Sequence, residues 1–495
     1  MTRVLLRNLT VELPDGRFAP RNLQIVDGSI AAITETSDVP AGFANHDMSG
    51  QLGVAGLANC HTHSNENWFR GLFDNLPLEP WMIYSYPTLF APEPSEQDVY
   101  LRTMVGAMEA ARTGTTAVVD FIYEFTGFTE ARLAAMVRAY RDVGIRALIC
   151  LAIADRPFED TVILDRTRLS DETRRKLNAH PPMSSAESMD LIRAMVSKFH
   201  DPANGIAIGL GPSGPQRCTD TMLLESRALA DELDLQIHTH VLETKMQRRS
   251  GMDLYGKSIV GHLGDIGFLS PRTHLVHGVW LNEDDADTLA GTGATVVHNP
   301  ISNLKLGSGV SPITVLRERG VPVSLGTDGM CAGDGQNMFE AVKLAGILHK
   351  VEPVPYARWI GGRQAWEIAT LGGAVATGAA GQRGSISVGQ QADILMLDLN
   401  DYAFTPLNDP MLHLTLQIPT QALTHVMVAG RFVMEARVLT GVNEVQLLDE
   451  IRGRAGDVVA AHKEAFDFGD QLIPSLAAGW EEVLAWDAST NSYLR

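Results

Sequence analysis

The sequence predicts an α/β protein: a (β/α)8 TIM-like barrel carrying a small β-sandwich built from both chain ends. Three observations lead there. Eight short apolar runs between residues 52 and 327 alternate with segments of helical period. Hairpin-like texture fills the first fifty residues and returns after residue 384. Several of the apolar runs end in His or Asp, on the rim where a barrel of this kind keeps its active site.

At the amino end, residues 4–6, 10–13, 23–26 and 30–34 read as strands, separated by turns at Asp15-Gly16 and Asp27-Gly28. The same texture recurs at 385–388, 393–397, 425–428 and 431–434, with Ala429-Gly430 as a tight turn. Pairing the two pieces into one sandwich leaves neither with an open edge.

The candidate barrel strands are 52–60, 117–121, 147–152, 206–211, 235–240, 273–277, 294–298 and 321–327. Helical patterns fall between them at 98–112, 130–143, 186–199, 220–233 and 282–290, with Ser185 and Thr219 as candidate caps. Residues 155–185 break the alternation. They are charged and contain Pro157, Pro181 and Pro182, so they read as an insertion over or beside the site, a lid or an oligomer contact. From about residue 445 the pattern is helical. The expected division is 1–52 plus 384–450 for the sandwich, 53–383 for the barrel and 451–495 for a helical tail.

The 495 residues carry a net charge of −19, which disfavours nucleic acid and anionic membranes and favours a neutral or cationic small-molecule substrate. Cys60, Cys150, Cys218 and Cys331 form no CxxC pair, as expected of a reducing compartment. The amino terminus lacks the apolar core and cleavage site of a signal peptide, and no run of about 18 apolar residues exists. A cytoplasmic protein is expected.

The chemistry starts at His61-Thr62-His63, which follows the first barrel run. Side chains alternate across a strand, so two His at i and i+2 share a face and reach one ion. His240 ends the fifth run, His277 the sixth, His298 the seventh, and Asp328 follows the eighth. Any one of these is an ordinary rim residue. Together, His61, His63, His240, His277 and Asp328 predict a divalent metal with an open position, and hence hydrolysis. His238 shares the phase of His240 one layer deeper, where packing is its expected role. Glu243, three residues past His240, stands where a carboxylate exchanges protons with an attacking water; the alternative is a helix-start Glu.

These segments resemble the amidohydrolase superfamily: His61-Thr-His63 after Gly56-Leu-Ala-Asn, His240-Val-Leu-Glu243-Thr-Lys, His277-Gly-Val-Trp, Val297-His-Asn-Pro-Ile-Ser-Asn-Leu-Lys-Leu and Gly326-Thr-Asp-Gly. Within it they are most similar to the ATZ/TRZ branch of triazine hydrolases and S-adenosylhomocysteine/methylthioadenosine deaminases. Arg70 through Trp81 matches that branch's lid, and Ala374 through Asp398 its exit from the barrel. The resemblance spans about residues 1–450. It implies one metal ion held by His61, His63, His240 and Asp328, with Glu243, His277 and Asp328 acting on water and substrate. Binuclear relatives carry a bridging carboxylated Lys at the end of the fourth strand, and residues 205–213 offer none. Zinc suits this donor set best, with iron as the alternative. Relatives are often dimers or larger, so a homo-oligomer is expected.

The chain also departs from that branch. Thr88 and Leu89 stand where adenosine-type deaminases carry an acidic residue for the ribose, and Ser213 replaces a His after the fourth strand. The expected pocket is therefore apolar and aromatic. Glu66, Trp68, Trp81 and Tyr86 are expected on its wall with Ser213, and Cys331 near it; the alternative for Glu66 and Trp68 is helix start and packing. The expected activity is hydrolytic deamination or dechlorination of a nitrogen heterocycle. The alternatives are hydrolysis of an acyclic urea, (thio)carbamate or amide, and a non-catalytic binding protein on the same barrel.

Overall fold

Two sheets carry the chain, and Gly56 is where it passes from one to the other. The computed structural model describes residues 2–35, 40–87, 89–124, 127–177, 179, 181–351 and 354–486; Thr88 and the end of the expected tail lie outside them. The chain enters through β1 (Arg3–Glu12), β2 (Phe18–Val26), β3 (Ser29–Thr34), β4 (Ala44–Asp47) and β5 (Gln51–Ala55). The barrel takes β6 (Leu57–Thr62), β7 (Thr115–Ile122), β8 (Arg146–Ile153), β9 (Ile206–Pro212), β10 (Ile237–Val241), β11 (Thr273–His277), β12 (Thr295–His298) and β13 (Val323–Leu325). The chain then returns to the first sheet with β14 (Ile394–Asp398), β15 (Leu423–Val428), β16 (Arg431–Glu435) and β17 (Val438–Leu439).

The barrel strands are parallel and neighbour one another in chain order from β6 to β13. The seam between last and first is bridged where Asp328 N donates to His61 O (2.9 Å) and Thr327 N to Asn59 Oδ1 (3.0 Å). The terminal sheet runs β17-β16-β15-β14-β5-β1-β2-β3, with β4 against β1. The antiparallel pair β5–β14, with Ala55 opposite Ile394, joins the two chain ends. Leu6, Leu9 and Ile25 from one end meet Ile394, Met396 and Met427 from the other in one buried cluster, which is the sandwich core. Burying each such side chain contributes about 1.5–3 kcal/mol.

Four sequence expectations need correction. The apolar run 52–60 is two strands, because a Cβ at Gly56 would lie 2.4 Å from Thr116 Cγ2, so the backbone changes sheet where only glycine fits. Residues 10–13 do not form a separate strand. β1 continues through an irregularity between Leu6 and Leu9, where Asn8 has φ 57°. Residues 385–388 form no strand; Gln390 O and Gly389 N nearby bond to Ile30, and only Ile386 packs on the sandwich core. The helix Ser185–Phe199 is capped by Ser184, not Ser185, in a reciprocal box with Glu187. The turns at Asp27-Gly28 and Ala429-Gly430 are present and touch each other; a Cβ on Gly28 would lie 2.9 Å from Ala429 O.

The 155–185 insertion does lie beside the site. It contains the short helix Asp171–Leu177 and is held by the carboxyl-terminal helix Lys463–Ala485. Asp165 N donates to Ser475 O (3.0 Å), and Ser475 Oγ donates to Asp165 O (2.7 Å). The same long helix packs Phe466 against Phe69, Phe73 and Tyr84, and Asp470 accepts from Tyr84 OH (2.7 Å). The tail thus braces the insertion and the segment around Phe69, Phe73 and Tyr84. No helix among the described residues is long and apolar enough to cross a membrane.

Candidate active site

The strand ends bring the expected cluster together. His61 comes from β6 and His63 from just past it, His240 from β10, His277 from the end of β11, and Asp328 from just past β13. Asp328 Oδ1 lies 3.5 Å from His61 Nε2 and 3.3 Å from His63 Nε2, and the Nε2 atoms of His63 and His240 are 3.4 Å apart. All four residues are buried. Backbone geometry is unusual at this rim: Leu242, His277 and Asp328 have φ of 52°, 72° and 66°. Non-glycine residues held in that region cost about 1–3 kcal/mol and cluster at functional sites. At Gly329 the next constraint is steric, since a Cβ there would overlap the Glu66 carboxyl.

Hydrogen bonds assign the imidazole protons. His63 Nδ1 faces Phe121 O at 2.6 Å and His240 Nδ1 faces Ser213 O at 2.9 Å. A carbonyl only accepts, so both Nδ1 atoms carry protons and both Nε2 atoms present lone pairs. Those lone pairs converge, and His61 Nε2 has no hydrogen-bond partner. Burial, reinforced by the neighbouring imidazoles, holds His61 and His240 well below the usual histidine range; burial also lowers His63, against the pull of Asp328. Protonation therefore does not relieve the cluster. His61, His63 and His240 form one set of donor atoms within 4.8 Å of one another, and His61, His277 and Asp328 a second; neutral imidazole nitrogens with a carboxylate oxygen suit a divalent cation.

Glu243 and His277 stand beside this cluster. Glu243 Oε2 is 3.5 Å from His277 Nε2, while Oε1 has no hydrogen-bond partner. Burial first, then Asp328 and Glu79, raises the Glu243 carboxyl well above its usual range. Gln247 Oε1 accepts from Glu243 N (2.9 Å) and fixes the turn. Asn303 Oδ1 lies 2.8 Å from His277 Nδ1, so His277 keeps its proton there and turns a bare Nε2 toward Glu243. His298 is buried but lies off the cavity.

A cavity of about 630 Å³ opens from the cluster toward the insertion, lined by His63, His240, Glu243, His277 and Asp328 at its floor. Trp81, Tyr86 and Ser213 are on its wall, as expected from sequence. Trp68 is not. It lines a separate cavity of about 240 Å³ with Phe69, Arg102 and His462. Glu66 and Cys331 are also off the wall. Glu66 is wholly buried behind it, with Oε1 accepting from Cys331 N (3.2 Å), and the apolar surroundings push the Cys331 thiol far up, leaving it inert. Sequence reasoning overlooked Tyr123, whose OH bonds Ser213 Oγ (2.8 Å), and Arg156, Arg217 and Gln247 on the wall. Tyr123 shares the strand phase of Phe121 one step past β7, which was a readable signal.

The fold and this donor cluster define a barrel hydrolase, and comparison with known proteins gives the family. The Amidohydrolase family model matches residues 53–433, and the chain belongs to that family. It is 31% identical over 447 residues to a 5-methylthioadenosine/S-adenosylhomocysteine deaminase of Syntrophobacter fumaroxidans, covering 89% of this chain and 94% of the relative. It is also 31% identical over 449 residues to a 5'-deoxyadenosine deaminase of Methanothermobacter thermautotrophicus, covering 90% and 96%. Among solved structures, an adenosine deaminase from Xanthomonas campestris with bound zinc superposes with a TM-score of 0.79 at 27% identity, over 92% of this chain and 98% of that one. Atrazine chlorohydrolase TrzN from Arthrobacter aurescens TC1 shares the fold, with a TM-score of 0.81 at 21% identity over 92% and 100% of the two chains. The protein is thus an amidohydrolase-family enzyme acting on carbon–nitrogen bonds other than peptide bonds.

Proposed function

We propose that the protein hydrolytically deaminates a nitrogen heterocycle, using one divalent cation held by His61, His63, His240 and Asp328. The observation that carries this reading is the Glu243 carboxyl, buried beside the donor cluster with one oxygen unpartnered and the other facing His277. When bound, zinc supplies Lewis acidity and brings the pKa of water close to neutrality. Glu243 takes the proton from the attacking water and delivers it to a ring nitrogen, for which its raised affinity for protons suits it. His277, with its bare Nε2, accepts from the attacking water and orients it. The hydroxyl proton on the tetrahedral carbon then passes to the amino nitrogen, the C–N bond breaks, and ammonia leaves as the ring carbonyl forms.

The similarity to deaminases at 31% identity across nearly the whole chain supports deamination over dechlorination. Zinc in a related solved structure supports zinc as the ion. The four buried free cysteines agree with a cytoplasmic setting, and a homo-oligomer is retained as the assembly expected from the family.

The test is a substrate panel on zinc-loaded protein, with ammonia, chloride and amine followed separately. Ammonia from aminopurines, aminopyrimidines or amino-triazines is expected. Amine release from ureas or carbamates, with the heterocycles untouched, would replace this reading.

A further inference from the structure

Gln247 has its amide oxygen fixed and its amide nitrogen free. It is the third residue of the helix Lys245–Tyr255, where a Thr-x-x-Gln sequence builds a reciprocal cap. Half of that cap is present: Thr244 Oγ1 accepts from Gln247 N (3.3 Å). The return bond goes one residue further back. Leu242 has φ 52°, which turns the chain after β10, and Gln247 Oε1 accepts from Glu243 N (2.9 Å). A backbone N–H only donates, so the atom facing it is the oxygen, and the amide cannot be reversed. Nε2 then carries two N–H donors on the other branch.

Those donors are not used inside the protein. Among the described residues Nε2 meets no acceptor, although Gln247 is only 5% exposed. Nor is Nε2 shut off from solvent, and Gln247 borders the active-site cavity beside Glu243. The nearby carboxylates are turned elsewhere. Glu79 accepts from Thr244 Oγ1 (2.5 Å), and Glu243 directs Oε2 at His277 and leaves Oε1 without a partner. A buried amide N–H without an acceptor is costly, and a ligand that brings an acceptor removes the cost.

We propose that Gln247 is a substrate-recognition residue, its amide nitrogen donating to an acceptor further along the ring edge from the nitrogen that Glu243 protonates. The bond from Glu243 N to Gln247 Oε1 holds both side chains on one turn, so the carboxyl that delivers the proton and the amide that reads the ring are placed together. The substrate class narrows from amino-heterocycles in general to those with a second acceptor on that edge, an unprotonated ring nitrogen or an oxo oxygen. A hydrocarbon edge leaves the amide unanswered, and a site built to hydrogen-bond rejects an analogue that lacks the partner. The proposal rests on the hydrolase reading above and deepens it.

The test compares three neutral bicyclic lactams, the product type of such a deamination, by calorimetry on zinc-loaded full-length protein. 1-Isoquinolone has no second acceptor, 4-quinazolinone adds a ring nitrogen, and 2,4-quinazolinedione adds an oxo oxygen. At least one of the last two is expected to bind about fivefold tighter than the first, the net worth of one neutral hydrogen bond. Whichever does identifies the acceptor. Q247M keeps the length of the side chain without its donors and should bring the three to equal affinity. A merely structural role for Gln247 would weaken all three alike and leave their ratios unchanged. Zinc content and thermal midpoint establish that Q247M is folded; if it is not, the wild-type series decides alone. Equal affinities in the wild type, failure of all three to bind, or a preference that survives in folded Q247M overturns the proposal. Failure of the hydrolase reading looks different: no ammonia from any amino-heterocycle, with the lactam preference present and lost in Q247M. Ammonia release without a lactam preference sinks the Gln247 assignment alone.

Discussion

His63 and His240 hold their Nε2 atoms 3.4 Å apart while each gives its Nδ1 proton to a backbone carbonyl, Phe121 O and Ser213 O. Two lone pairs at that distance repel, and neither nitrogen has a proton to share. A cation between them would relieve that repulsion. His240→Ala and His63→Ala should each bind less than a tenth of the wild-type metal, as an order-of-magnitude expectation for losing one of four ligands. Elemental analysis after gel filtration checks this. Full metal occupancy in either variant would exclude that imidazole as a ligand.

Removing Glu243's proton exchange without its volume isolates its chemistry. Glu243→Gln should retain the metal and lose roughly 10²–10⁴ in kcat, the usual contribution of a positioned acid–base. KM should change little. Wild-type turnover in that variant would leave the heterocycle nitrogen to be protonated by another group.

Asn303 acts through His277. Its Oδ1, 2.8 Å from His277 Nδ1, sets which nitrogen carries the proton. Asn303→Leu should lower kcat by about 10–100-fold, in the range for outer-shell partners, with metal content intact. Asn303→Asp keeps the acceptor and should recover part of the rate, while moving the acidic limb governed by His277 to higher pH, since the added carboxylate favours the imidazolium. A uniform KM effect with kcat unchanged would mark Asn303 as mere packing.

The two tryptophans singled out by sequence separate cleanly. Trp81 is on the wall of the large cavity and Trp68 lines the smaller one. Trp81→Phe should raise KM several-fold, by the loss of about 1 kcal/mol of buried area. Trp68→Phe should leave KM within error. Equal effects from both would mean that the smaller cavity also takes part in substrate binding.

That contrast shows what local pattern reveals. Strand alternation and strand-end position located His61, His63, His240, His277 and Asp328, because both rules act over a few residues and the barrel repeats them eight times. Strand 273–277 and helix 130–143 agree with the structure residue for residue. Trp68 and Cys331 were misplaced because they follow the cluster closely in sequence, yet the short helix Ser64–Phe69 and the turn after Asp328 carry them behind the wall. Arg156 and Arg217 escaped notice for the opposite reason: they reach the cavity wall from loops after two different strands, and no spacing encodes that meeting. The bracing of the 155–185 insertion by Lys463–Ala485 is likewise a contact over hundreds of residues, for which the helical period of the tail gives only the element and not its partner.

His274 gives the fold its own acid sensitivity, apart from the metal. It is buried on β11 with Nδ1 3.4 Å from His238 Nδ1 and Nε2 unpartnered, and burial lowers its pKa from 6.5 to about 4. Above pH 6.5 it is neutral in both folded and unfolded chains and carries no penalty. As pH falls from 6.5 toward 4 the unfolded chain takes up its proton while the folded chain does not, so stability is lost across that window. The loss amounts to about 3 kcal/mol for this one group. His238, His61, His240 and His298 are lowered in the same direction by burial and add to the slope. In chelator-treated protein, His274→Gln should reduce the pH slope of the urea unfolding free energy by about one proton in this range. Its stability near neutrality shifts by an amount of no consequence to the slope. An unchanged slope would mean that His274 takes up its proton in the folded chain as readily as in water, which its closed surroundings forbid.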